Sequence, residues 1–233
     1  LSTQLRLAEE AGFRTVGLRE KHVVEFLAAG GSTDDIRKLL DAHGVVALEY
    51  NYFPNWVHTG SGERESLRER FESFCTAASE LGCSIVVAPT SDDSGPHEPD
   101  WETAVDNLKT MAGIAAGRGL NVGVEFLPWS PYDTVAAARD LVTRSGRDNV
   151  GIILDTFHYF EGPSTRDDLE ALPTGAILLC HLADVAAVDA DVLTKSREHR
   201  VFPGEGVHRS RFGEVLSCLA SHSYGGYYSL EIM

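Results

Sequence analysis

Residues 121–184, NVGVEFLPWSPYDTVAAARDLVTRSGRDNVGIILDTFHYFEGPSTRDDLEALPTGAILLCHLAD, decide the fold. Three runs within them, NVGVEF (121–126), VGIILDT (150–156) and AILLCHLAD (176–184), are apolar, rich in β-branched residues and too short for helices. Between them lie stretches near 132–145 and 166–172 whose apolar positions recur at helical spacing. Strands this continuously apolar are buried on both faces of a parallel sheet, and parallel neighbours are joined by helical crossovers. The class is therefore α/β.

The alternation continues in both directions. Upstream stand an amphipathic helix in LSTQLRLAEEAGF (1–13), strand TVGLR (15–19), a helix near 33–43, strand VVALEYN (45–51), a long helix near 62–81, strand CSIVVAP (83–89) and a helix near 101–118. Downstream come a helix near 211–221 and strand YYSLEI (227–232). Seven strands and seven helices that begin on a helix and end on a strand suit one domain over 1–233, a (β/α)8 barrel lacking its first strand and last helix. Leu1 in place of Met, and a final strand with no helix to cover it, read as trimming at both ends. The alternative is a naturally short, seven-stranded open barrel. A doubly wound sheet is disfavoured because no GxGxxG or GxxxxGK[ST] follows any strand. The two long connections, SDDSGPHEPD (91–100) and residues 185–206, both follow strands, on the side where barrel sites are built.

Composition narrows the function classes. With 43% hydrophobic and 24% charged residues the chain reads as an ordinary soluble globular protein. A formal net charge of −15 argues against a broad basic face for nucleic acid. No run approaches the ~20 apolar residues of a membrane span, and the first residues do not form a signal peptide, so the expectation is a cytoplasmic protein without membrane contact. Cys75, Cys83, Cys180 and Cys218 form no CxxC pair and no zinc-finger spacing, and three of them sit in apolar contexts that read as small buried thiols rather than a disulfide framework.

Four successive strands close on polar residues: VGVE on Glu125, IILD on Asp155, LLCH on His181 and YSLE on Glu231. Strand ends converge on the axis of a barrel, and an unpaired charge there costs several kcal/mol. One strand-end acid alone is ordinarily a helix cap or an ion-pair partner. Three carboxylates and an imidazole at one mouth call for a cation, and this donor set suits Mn²⁺, Mg²⁺ or Co²⁺, with Zn²⁺ a further candidate. His158, three residues past Asp155, should face the mouth, unless it is a core histidine. Asp184 either orients the His181 imidazole or caps the next turn. Arg200, in HRVFPGEG, could clamp a substrate oxygen or simply be solvated. Glu49, ending VVALE, and Trp129 are candidate pocket residues or packing residues.

These residues resemble the xylose isomerase-like barrel superfamily, in its branch of sugar phosphate isomerases and epimerases. The resemblance is carried by AGFRTVGLR, VGVEFLPW, GIILDTFHYF, CHLADV, RVFPGEG and YYSLEI, which together span most of the chain. It implies that Glu125, Asp155, His181 and Glu231 are metal ligands and that His158 and Arg200 contact substrate. The ketose 3-epimerases of that family carry a further glutamate shortly after the first ligand. Here the stretch reads Phe126, Leu127, Pro128, Trp129, Ser130, Pro131, which speaks against simple ketose epimerisation.

The expected chemistry is proton abstraction α to the carbonyl of a sugar, cyclitol or other polyol ketone, with a divalent ion stabilising the enediolate. Glu125 and Glu231 are the candidate bases. Loss of a β-hydroxyl instead, with His158 as acid, would make the protein a dehydratase of an inosose or 3-dehydroshikimate. An endonuclease IV-like nuclease needs a richer ligand set and a basic surface, and a non-catalytic sugar-binding barrel would have little reason to keep the quartet. The sheet edges of an incomplete barrel are compatible with a homo-oligomer.

Overall fold

The structure, a computed structural model, describes residues 1–91 and 98–232; most of the connection SDDSGPHEPD lies outside the described residues. In chain order the elements are α1 (Ser2–Glu10), β1 (Thr15–Arg19), α2 (Glu20–Ala28), α3 (Thr33–Ala42), β2 (Val46–Asn51), α4 (Arg64–Glu80), β3 (Ile85–Pro89), α5 (Trp101–Ala116), β4 (Asn121–Glu125) and α6 (Val135–Ser145). There follow β5 (Val150–Asp155), α7 (Thr156–Glu161), α8 (Arg166–Glu170), β6 (Ile177–Leu182), β7 (Asp184–Val185), α9 (Val192–Glu198), β8 (Arg200–Val201), α10 (Phe212–Ser221) and β9 (Tyr227–Leu230).

Seven strands pair in parallel in the order β1-β2-β3-β4-β5-β6-β9. Helices alternate with them, giving the expected α/β class and an incomplete (β/α)8 barrel of seven strands. β1 and β9 are its two edges. They do not pair with each other among the described residues, and between them lies a cleft of about 710 Å³, walled by Val16, Leu48, Tyr228 and Leu230 among others.

Two apolar layers hold the barrel. Outside, the sheet packs on the helices through a large core that includes Tyr50, Trp56, Phe71, Phe74, Leu108 and Met111. Inside, Ile85, Val87, Ile153 and Leu179 form a separate plug. Side chains alternate along a strand, so a residue two positions beyond an inward-facing one also faces inward. Asp155 follows Ile153 by two and His181 follows Leu179 by two, and the pairings Pro89 with Glu125 and Asp155 with His181 bring these strand ends to one layer above the plug. The four cysteines are free and buried, as the apolar contexts of three of them predict.

The sequence reading missed three helices. α2 carries buried Val23 on one face and ends before Gly30, a signal masked because the helix starts directly at the end of β1, with Arg19 as its N-cap. α7 grows directly out of β5, with Asp155 capping it through Phe157 N. α9 begins at an Asp191 cap inside what reads as a loop, and β7 pairs antiparallel with β8 across it. The connection 185–206 is therefore a built lid wall.

Candidate active site

Glu125, Asp155, His181 and Glu231 each place one ligand atom within 4.8 Å of all the others. Three are buried and Glu231 nearly so. His181 Nδ1 lies 3.4 Å from Glu125 Oε1 and 3.1 Å from Glu231 Oε2, yet neither contact has hydrogen-bond alignment, and His181 Nδ1 and Glu125 Oε1 are buried without a hydrogen-bond partner among the described residues. Buried polar atoms left unpaired are costly, and here two of them belong to one quartet of hard and borderline donors. A divalent cation fits this donor set, and it would satisfy both atoms.

The other face of the imidazole is held. His181 Nε2 is 2.9 Å from Glu49 Oε2, inside the sheet, where Glu49 is 3% exposed. Gly17 opposite it leaves the space, since a Cβ there would stand 2.7 Å from Glu49 Oε1. A carboxylate behind a ligating histidine fixes the ring's orientation and tautomer, so Glu49→Ala is expected to weaken metal binding about 10- to 100-fold, read by calorimetric titration, with Glu49→Gln recovering part of the loss. An unchanged affinity would reduce the contact to packing.

Asp184 does not take that part. Its carboxylate accepts from the backbone N–H groups of Val185, Gly204, Gly206 and His208, which fastens the PGEG turn to the barrel rim. A side chain on Gly206 would run into the Val185 carbonyl and the Asp184 carboxylate. Asp184→Ala leaves these donors without their shared acceptor and is expected to cost about 3 kcal/mol or more in urea unfolding.

Arg200 is buried beside the quartet. It donates to Asp155 Oδ2 at 2.8 Å, to Glu231 Oε2 at 3.3 Å, to the Ser196 carbonyl and to Ser196 Oγ, and its guanidinium lies 4.6 Å from the centre of the Phe157 ring. It also donates to His158 Nε2 at 3.3 Å. Nε2 is then an acceptor, which places the His158 proton on Nδ1, an atom with no hydrogen-bond partner among the described residues. Burial pushes the His158 pKa down to about 4, only partly opposed by Asp155, so the ring is neutral near pH 7. Trp129 stands edge-on to it with ring centres 5.2 Å apart. Arg19 and Asn51, which the sequence reading did not single out, reach Glu231 Oε1 at 3.3 and 3.4 Å. Their signal was available: both end strands of the same barrel.

Electrostatics split the two glutamates. Burial pushes Glu125 up to about 7, against the lowering contact with His181. Burial would raise Glu231 too, but His181 and Arg200 hold it well below the usual carboxylate range. Burial would lower His181, but Glu49 and Glu231 hold it well above its ordinary value. Metal loading below pH 7 must therefore displace protons from Glu125 and His181, and affinity is expected to rise with pH by about tenfold per unit for each proton released. Titrations at pH 6, 7 and 8 check this; a flat profile would contradict it.

A pocket of about 310 Å³ opens above the quartet, lined by Glu125, Glu231, His158 and Arg200 at its base and by Tyr52, Pro54, Leu127, Trp129, Leu193 and Arg197 on its walls. Residues 5–233 match the family described as xylose isomerase-like TIM barrel.

The chain belongs to the xylose isomerase-like TIM barrel family.

Within this family the chain is 30% identical over its whole length to 3-dehydroshikimate dehydratase of Pseudomonas aeruginosa, of which it spans 36%. It is 26% identical to inosose isomerase of Halalkalibacterium halodurans, covering all of this chain and 82% of that protein. Among solved structures, a xylose isomerase-like TIM barrel/4-hydroxyphenylpyruvate dioxygenase fusion protein superposes with a TM-score of 0.91 at 26% identity, over all of this chain and 37% of the other. The IolI protein with a bound zinc atom superposes with a TM-score of 0.88 at 24% identity, over 100% and 84%. The chain thus spans little more than a third of the dehydratase and of the fusion protein. Among the described residues no helix is long and apolar enough to cross a membrane.

Proposed function

We propose that this chain is a divalent-metal-dependent isomerase or epimerase that moves a proton α to the carbonyl of a cyclic polyol ketone. The observation that carries the reading is the quartet itself: two of its carboxylates, Glu125 and Glu231, line the same pocket from strands separated by β5 and β6. Glu125, Asp155, His181 and Glu231 would hold the ion. A bound divalent ion supplies Lewis acidity toward the ketone oxygen and the neighbouring hydroxyl, with Mn²⁺, Mg²⁺, Co²⁺ and Zn²⁺ the ions to compare.

Burial raises the pKa of Glu125 while His181 and Arg200 lower that of Glu231, and Glu125 takes the proton from the α carbon. The C–H electron pair becomes the carbon–carbon double bond of the enediolate, and return of the proton to the neighbouring carbon completes an isomerisation. Glu231, on the other wall, offers the second face that epimerisation requires. Neutral His158, at the base of the pocket beside Arg200, does not serve as a cationic acid. Arg200 keeps Asp155 and Glu231 in place. Relatives named inosose isomerase and 3-dehydroshikimate dehydratase support this chemistry, since both start from a proton next to a ring ketone.

The test is ¹H NMR in D₂O of an inosose and of 3-dehydroshikimate with the metal-loaded protein. Exchange of the α proton that stops on chelation is the expected result. No exchange on either ketone with any of the four metals would overturn the reading.

A further inference from the structure

Three residues of α9, together with Arg200 just beyond it, form one stripe: Leu193, Ser196, Arg197 and Arg200, at the i, i+3, i+4, i+7 spacing of a helix face, all line the pocket. Arg200 is fully engaged at the base. Arg197 lies nearer the rim, exposed, and has no hydrogen-bond, ion-pair or ring partner among the described residues. The other cation of this helix, Lys195, is paired with Glu161 at 3.0 Å. A chain of net charge −15 therefore keeps an unpaired guanidinium on the wall of its candidate active site.

We infer that Arg197 binds a carboxylate on the substrate, at the end of the pocket away from the quartet. The inference rests on the proposed function and deepens it, naming the substrate class as a carbocyclic ketone acid rather than an uncharged cyclitol.

Charge supports the choice. Among the described residues of the quartet, its Glu49 support and the pocket wall, the acids are Glu49, Glu125, Asp155 and Glu231, four negative charges when ionised. Arg19, Arg197 and Arg200 bring three positive charges, and a divalent ion two more. Among the described residues the loaded pocket would carry one positive charge in excess, which a monocarboxylate neutralises and a doubly charged phosphate ester overshoots. A guanidinium fork is also matched to the two oxygens of a carboxylate. Leu127, Trp129 and Pro54 supply apolar lining for a ring. The relatives differ on this point, since an inosose ring is uncharged and 3-dehydroshikimate carries a ring carboxylate.

The experiment compares two probes that differ only in the acid group, 3,4-dihydroxybenzoate and catechol, by calorimetry on Mn²⁺-loaded wild type, R197A and R197K. The acid is expected to bind wild type at least tenfold more tightly than catechol, the preference to fall to about one in R197A with catechol affinity unchanged, and R197K to lie between. Equal binding of the two probes by wild type, a preference that survives in R197A, or no binding of either probe at millimolar concentration would overturn the assignment. Proton exchange measured on the same protein separates the two claims. Exchange without carboxylate preference removes the Arg197 subsite and leaves the proposed function, whereas preference without exchange on any ketone does the reverse.

Discussion

Asp155→Ala is expected to abolish stoichiometric metal binding and to lower the unfolding free energy by about 3–5 kcal/mol in the same variant. Asp155 is fully buried and accepts two hydrogen bonds. One oxygen accepts from Phe157 N at 2.7 Å and starts α7, which carries His158. The other accepts from Arg200 Nη1 at 2.8 Å and lies 3.3 Å from His158 Nε2. The alanine variant leaves Arg200, 5% exposed, facing only Glu231 among the acids it now contacts. A buried guanidinium stripped of its closest counter-charge is the costly half of a broken ion pair. Asp155→Asn keeps an acceptor for Phe157 N and should recover part of the stability but little of the metal binding. Urea unfolding with elemental analysis decides; a variant that keeps one equivalent of metal would remove Asp155 from the quartet.

The second large effect is on turnover. Glu125→Gln preserves shape and one acceptor oxygen but cannot accept the α proton, and loss of a positioned general base costs typically 10²- to 10⁴-fold. The expected signature is a fall in kcat of about 10³-fold, with α-proton exchange falling in parallel and substrate binding retained. Glu231→Gln should lose less exchange, because His181 and Arg200 already suppress the basicity of Glu231. If Glu125→Gln binds metal and still exchanges the proton at the wild-type rate, the base lies elsewhere.

Much of this was legible in the chain. Continuous apolar runs ending in Glu125, Asp155, His181 and Glu231 convey both a parallel sheet and a convergence point, because strand polarity and side-chain alternation turn a sequence position into a place at the mouth. The support of the imidazole was harder to read. Asp184 is close to His181 in sequence, but as the first residue of β7 it is committed to the rim turn, and the carboxylate that meets His181 Nε2 is Glu49, 132 residues away, through a contact that only barrel closure creates. Likewise α9 follows no strand that a periodicity scan would credit, so Arg197 went unnoticed while Arg200, beside a Pro/Gly turn, did not. His158 was legible as a residue of the mouth, but its neutrality depends on burial and on Arg200, neither of which is a property of the segment DTFHYF.

Among the described residues β9 pairs with β6 alone. Amide protons along Tyr227–Leu230 exchange with solvent when this strand opens locally. Glu231 follows directly on that strand and ties it to Arg19, Asn51, His181 and Arg200. An ion held by Glu231 would fasten this strand to the ends of β4, β5 and β6 through Glu125, Asp155 and His181: deuterium uptake at 227–230 should slow when metal is added.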